Sequence, residues 1–399
     1  MSRGPRPTFR RLLFLWLAAM MGVACGGPAA EEVVGIPGRP LDGLTEEELG
    51  RFLLGKAVFE RLVTPEEGLG PLFNETRCSA CHIDPAIGGV GGPPVLKATR
   101  WENGACDLLE SAGGTIIQQQ ATPALQEALG VTGQEIPDAA THVAHVASTP
   151  LFGLGLVEAI PEEEIAVRAA GPEAPSNGIA GRVGRSADGQ MGRFGRKADF
   201  ASIQDFVDSA LLTELGLTTP NHPRELSVGG GALPPGVDPA PNPEMEERGI
   251  RLLTDYIRFL ALPAPERPRT EAVEDTILRG KAVFGEVGCA ACHTPSMRTG
   301  RSDVAALDRK VVRLYSDLLL HDLGPGLASV CAPGTAPTEH RTAILAGLRH
   351  RDELMYDGRA ASPEQAILLH GGDAAGVREA FRGLDEESRA LLLRFLASL

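Results

Sequence analysis

Ile250, Leu253, Ile257 and Leu260 recur at steps of three and four, which places them on one face of a helix. Asn242 and Pro243 read as its N-cap and first helical residue, and Pro263-Ala264-Pro265 as its stop. Leu391, Leu392, Phe395 and Leu399 give the last segment of the chain the same apolar face. From Ser227 to Pro243 glycine and proline interrupt any period, so that stretch reads as an ordered surface loop. Ser362 and Pro363 open a short helix, with Gln365 completing a capping box and Gly371 ending it, so that His370 falls at the helix C-terminus.

The pattern repeats along the chain. Gly55-Lys56-Ala57-Val58-Phe59 recurs as Gly280-Lys281-Ala282-Val283-Phe284, and a Cys-x-Ala-Cys-His motif follows each copy. Arg258-Phe259-Leu260-Ala261 recurs as Arg394-Phe395-Leu396-Ala397. Each unit therefore reads as helix, motif, terminal helix, and the final helix is expected to pack across the helix that carries Gly280 to Phe284.

Chemistry concentrates in Cys78-Ser79-Ala80-Cys81-His82 and Cys289-Ala290-Ala291-Cys292-His293. Two cysteines two residues apart lie on one turn, where both sulfurs can reach the vinyl groups of one haem, and the next histidine then lies beneath the iron. A thioredoxin-like pair or half a zinc site would not call for a histidine at that place, nor for the pattern twice. The expected fold class is mainly α: two tandem cytochrome-c-like domains with long Gly/Pro-rich loops, each wrapping one covalently bound haem. The domains are read as 46–262 and 271–399, with 263–270 as linker. Met191 and Met297 read as packing residues rather than ligands.

The ends and the composition add the compartment. Arg3, Arg6, Arg10 and Arg11 precede an apolar run from Leu12 to Ala24, so 1–24 reads as a secretion leader and 25–45 as a flexible linker. Ala24 before Cys25 resembles a lipoprotein cleavage site. A lipid at Cys25 would anchor the chain to the membrane in the periplasm or cell envelope, with ordinary signal cleavage as the alternative. With 38 Lys+Arg against 52 Asp+Glu the chain is acidic, which disfavours nucleic acid as a partner and suits a basic redox partner. Of seven cysteines, four are taken by haem and one by the leader, leaving Cys106 and Cys331 for one disulfide or two free thiols.

At this point longer motifs carry a resemblance. Tyr315 to Gly326 (YSDLLLHDLGPG), Asp357-Gly358-Arg359-Ala360 through His370-Gly371-Gly372, Thr149 to Leu156 and Gly192-Arg193-Phe194-Gly195 resemble the di-haem oxidoreductase family, often called thiol oxidoreductases and related to bacterial di-haem cytochrome c peroxidases. The resemblance implies an asymmetric pair, with the first haem open for substrate and the second closed by a side chain. His370 is the implied second ligand opposite His293, and Tyr356, where relatives commonly show histidine, is a competitor better read as a buried tyrosine. Glu158 is the candidate acid–base group at the first haem, with Gln118 to Gln120 near it, while His142 and His145, on one face if helical, could instead close that iron. Electrons would come from a small redox protein through the His293 haem to the His82 haem, where hydrogen peroxide is the expected oxidant. A non-enzymatic electron-transfer cytochrome and an enzyme oxidising a protein or polymer are the rival readings. Calcium between the domains, as in the related peroxidases, is left open by the residues.

Overall fold

The computed structural model describes Met1, Gly4 and residues 33–169 and 179–399; the leader and Cys25 lie outside them. Helix α1 (Glu46–Glu60) starts at a capping box in which the Thr45 hydroxyl accepts from Glu48 N and the Glu48 carboxylate accepts from Thr45 N at 2.8 Å. It packs against α4 (Glu247–Arg258), whose buried Ile250, Leu253 and Ile257 are the predicted apolar face. The second pair is α5 (Glu271–Val287), capped by Thr270, and α8 (Glu386–Leu396), capped by Asp385. Helix α4 begins at Glu247 rather than Pro243. Asn242 donates to Glu225 and Glu244 accepts from Thr218, so both side chains tie down the preceding loop instead of starting the helix.

The two helix pairs explain the repeated pentapeptide. A Cβ on Gly55 would collide with the Leu252 carbonyl and lie 2.8 Å from the Tyr256 Cβ; one on Gly280 would collide with the Leu391 carbonyl and lie 2.8 Å from the Phe395 Cβ. Only glycine permits these crossings. Phe59 and Phe284, one turn further on, pack against Tyr256 and Phe395 at centroid distances of 5.0 and 5.4 Å.

The mainly α expectation is corrected: the chain is 34% helix and 14% strand, with several small sheets. The largest is antiparallel: β1 (Val95–Glu102) pairs with a short hairpin partner, β2 (Ala105–Asp107), and at Leu96 and Lys97 lies between β3 (Ile116–Ile117) and β4 (His142–Val146). Its apolar face meets the C-terminal part of the chain, where Ala144 packs with Leu327, Val330 and Tyr356. Another pairing, β5 (Leu320–Asp322) with β6 (Glu339–Arg341), lies beside the same seam. These strands arise from pairing between distant segments, and most are too short to show a period of two.

The described residues from 33 onward make one compact unit. A disulfide joins Cys106, on β2, to Cys331 across a sequence separation of 225. Short helices α2 (Leu154–Glu158), α3 (Ile203–Leu215), α6 (Pro363–Leu369) and α7 (Ala375–Arg382) complete the frame around the site. No helix among the described residues is long and apolar enough to cross a membrane.

Candidate functional site

Both Cys-x-x-Cys-His motifs begin with a single 3-10 turn, Cys78–Ala80 and Cys289–Ala291, directly after or beside the helix that carries the repeated pentapeptide. His82 Nδ1 donates to the Gly89 carbonyl and His293 Nδ1 to the Tyr315 carbonyl, each at 2.9 Å. A carbonyl can only accept, so each ring carries its proton on Nδ1 and keeps its lone pair on Nε2, the arrangement that fixes a metal-ligating imidazole. Tyr315 is held in left-handed backbone at φ 52° to offer that carbonyl. Burial lowers the pKa of both rings, that of His293 to about 4, against the opposing pull of the carbonyls, so both stay neutral.

The four motif cysteines are unbonded thiols. Burial pushes Cys78 up to about 12 and Cys289 to about 11; burial, followed by Glu75 and Glu214, pushes Cys81 to about 12. Burial thus favours the neutral thiol at Cys78, Cys81 and Cys289.

A cavity of about 790 Å³ opens between the two parts of the chain. Cys289, Cys292, His293 and His370 line it at the C-terminal side; Leu154, Phe194, Ile203 and Phe206 line it at the N-terminal side. It also reaches Gly91 and Gly92, and the position of a Cβ on Gly92 is 3.0 Å from Cys81 Sγ. His370 ends α6, whose cap is the predicted Ser362 hydroxyl accepting from Gln365 N. Its Nδ1 donates to the Ala366 carbonyl at 2.7 Å, and burial, followed by the opposing carbonyl, keeps its pKa below the ordinary value. His370 is therefore prepared in the same tautomer as His82 and His293 and shares a cavity with His293.

Other predicted residues lie elsewhere. Glu158 does not line the cavity. Its Oε2 accepts from Arg258 Nε at 2.7 Å and its Oε1 from Ile203 N at 2.9 Å, so it joins α2 to α4 and caps α3. Both of its oxygens thus serve helix junctions in this structure. Gln118 donates to the Thr213 carbonyl and Gln120 to Asn74, also away from the cavity. His142 and His145 sit on strand β4, where a spacing of three puts them on opposite faces, and His145 is exposed. Met191 and Met297 are buried in the main apolar core. Tyr356 does line the cavity, but its hydroxyl donates to the Ala328 carbonyl at 2.9 Å and its ring stacks on His340.

Two groups of residues escaped the sequence reading. Asp317 and His321 form a buried pair at 2.8 Å, with His321 Nδ1 lying 3.7 Å from Cys292 Sγ. Their signal was present in the Tyr315 to Gly326 motif as an acid and a histidine four apart. Arg196, Arg341 and Arg351 also line the cavity. They stand far apart in sequence, and nothing local marks them.

The site fits haem c. Each cysteine pair is free and on one turn, each adjacent histidine presents Nε2, and the cavity has the size of a cofactor pocket with a largely apolar wall. When bound, the residues holding haem would be Cys78, Cys81 and His82 at one end and Cys289, Cys292, His293 and His370 at the other. For calcium, carboxylates of Glu225, Asp238 and Glu244 converge within the N-terminal part, not at the seam. Burial, followed by the charges of Glu244 and Asp238, pushes Glu225 up to about 8, and a cluster of this kind assigns no ion by itself.

A family model described as "Di-haem oxidoreductase, putative peroxidase" matches residues 132–399. Among solved structures the chain is similar to a hydrazine synthase of Kuenenia stuttgartiensis, at 14% identity over 98% of this chain and 100% of that one, with a TM-score of 0.43. It is also similar to a MauG-like protein associated with microbial copper homeostasis, at 14% identity over 94% and 95% of the two chains, with a TM-score of 0.36. No curated protein matches the chain.

Proposed function

Because the chain belongs to the di-haem oxidoreductase family, we propose that it is an exported c-type di-haem enzyme of the peroxidase kind, with unequal sites at its two Cys-x-x-Cys-His motifs. The observation that carries this reading is an asymmetry of ligands. His370 shares the cavity with His293 and its charge bears on that ring, whereas the influences on His82 are burial and the main-chain carbonyls of Gly89 and Thr149. The C-terminal motif thus has a second neutral imidazole beside its own, which is the basis for reading the two sites as unequal.

Haem bound at both motifs would supply one-electron chemistry, and two electrons with two protons convert hydrogen peroxide to two waters. Cys78 and Cys81, and likewise Cys289 and Cys292, would hold the ring edges as thioethers. His293 and His370 would clamp the electron-entry site and keep small molecules off it, while His82 leaves the opposite face of its own site open. Apolar Leu154, Phe194 and Phe206 line the cavity on its N-terminal side and would limit bulk water there. A small redox protein is the proposed donor, drawn to the net negative chain. Export with a lipid at Cys25 would keep the reaction in the cell envelope.

Low-temperature EPR of the oxidised protein, with and without cyanide, tests the assignment. One high-spin signal that cyanide converts to low spin is expected, beside one low-spin signal that ignores it. In the His370→Ala variant the second site should also become high-spin and cyanide-sensitive. Two low-spin signals indifferent to cyanide in the unmodified protein would instead describe an electron carrier.

A further inference from the structure

Some arginines that the fold draws inward are given a carboxylate. Arg258 is paired with Glu158 at 2.7 Å, and buried Arg193 lies 3.9 Å from Glu162. Arg196, Arg341 and Arg351 are placed differently. Their hydrogen bonds go to main-chain carbonyls alone: Arg196 to Ala147 at 2.9 Å, Arg341 to Gly195 and Thr342 at 2.9 and 3.2 Å, and Arg351 to Ile344 and Ala346 at 2.8 and 3.0 Å. None takes part in an ion pair among the described residues. The Nε atoms of Arg196 and Arg351 are buried without any partner.

All three line the cavity. They meet at the seam, where Arg341 N donates to the Arg196 carbonyl at 2.9 Å. Burial, followed by the charges of Arg341 and Arg351, lowers Arg196 to about 9 against the pull of Asp357; burial lowers Arg341 to about 10 against Asp199 and Asp317, and burial with the Arg341 charge lowers Arg351 to about 10. Three half-buried cations facing one cavity favour an anion there, because desolvating charges of one sign together is costly. The same three charges repel a metal cation from this end of the cavity. Guanidinium forks match carboxylates in pairs.

We propose that Arg196, Arg341 and Arg351 form a carboxylate-binding end of the cavity that holds haem propionates where the two parts of the chain meet. The inference rests on haem being the occupant, and it adds what fixes the charged edge of the cofactor and tunes its potential. A positive charge near the iron favours the added electron, so losing one should lower the potential.

The test uses the full-length holoprotein. Haem content per chain is measured first, and fewer than two haems in the unmodified protein would overturn the cofactor reading and this inference with it. With two haems in place, midpoint potentials are followed by spectroelectrochemistry across the range in which carboxylates titrate. The variants are Arg341→Gln, Arg351→Gln and the conservative Arg341→Lys. Expected is a fall in the potential of at least one haem in each Gln variant, a new pH dependence as the unpartnered propionate titrates, and recovery in Arg341→Lys. If Arg341→Gln does not fold, Arg351→Gln and Arg196→Gln read the same quantity. Unchanged potentials with both haems retained would overturn the proposal. So would a saturable spectral response of the unmodified protein to succinate that Arg351→Gln abolishes, since the arginines would then serve a soluble carboxylate.

Discussion

His82, His293 and His370 each give their Nδ1 proton to a main-chain carbonyl, so the same local device prepares three Nε2 atoms. Glu158 shows the opposite case, a carboxylate whose lone pairs are spent on Arg258 and Ile203. Glu158→Gln should therefore lower stability by about 1–2 kcal/mol, from a weakened pair and cap, while turnover per folded haem is unchanged; thermal unfolding and peroxide assays separate the two. A tenfold loss of turnover at unchanged stability would instead support its acid–base role. The Asp317–His321 pair carries a pH signature. Burial alone would lower His321, but the Asp317 hydrogen bond leads the opposing influences and the net result is a rise to about 10 from the ordinary 6.5. The pair's contribution is therefore complete below about pH 6.5 and is lost as pH climbs toward 10. Denaturation midpoints measured over that window should fall with pH, and Asp317→Asn should flatten the fall.

At the scale of elements, close helix crossing decides most of the architecture. Gly280→Ala pushes a methyl into the Leu391 carbonyl and should cost about 1–3 kcal/mol. Gly285→Ala, on the same helix with nothing within 4 Å of its Cβ position, should be neutral or stabilise by up to about 1 kcal/mol. Chemical denaturation of the two variants checks the contrast. The crossings also correct one apparent repeat. Tyr256 and Phe395 are the equivalent contacts of Gly55 and Gly280, so the two Arg-Phe-Leu-Ala tetrapeptides are three residues out of register and only mimic one another. Helices α4 and α8 were legible from their apolar period, and α6 from the Ser362 cap. The β1–β2 hairpin carried one readable sign, Asn103-Gly104, both at positive φ, which is a tight-hairpin turn. The strands beside it gave none, since the burial of β1 does not alternate and β3 has two residues.

At the scale of the molecule, the sheet of residues 95–146 is fastened to the C-terminal part by the Cys106–Cys331 disulfide and by Cys331 N donating to Thr99. The bond closes a loop of more than two hundred residues, so Cys106→Ser with Cys331→Ser should cost about 2–5 kcal/mol. Urea unfolding with and without reductant reads this: the unmodified protein should lose the same amount on reduction, and the double variant should ignore it. Cysteine count alone left two free thiols as an alternative, because pairing depends on a distance that spans the whole chain. The sequence by itself determined the two haem-type motifs, their helices and the cap that sets His370 at a helix end, since each depends on residues within a turn or two of one another. Only tertiary structure decided that Glu158 is spent on a helix junction, that His142 and His145 diverge on a strand, and that three arginines meet at one cavity. Those outcomes depend on which distant segments come together, and burial, pairing and charge are properties of that meeting.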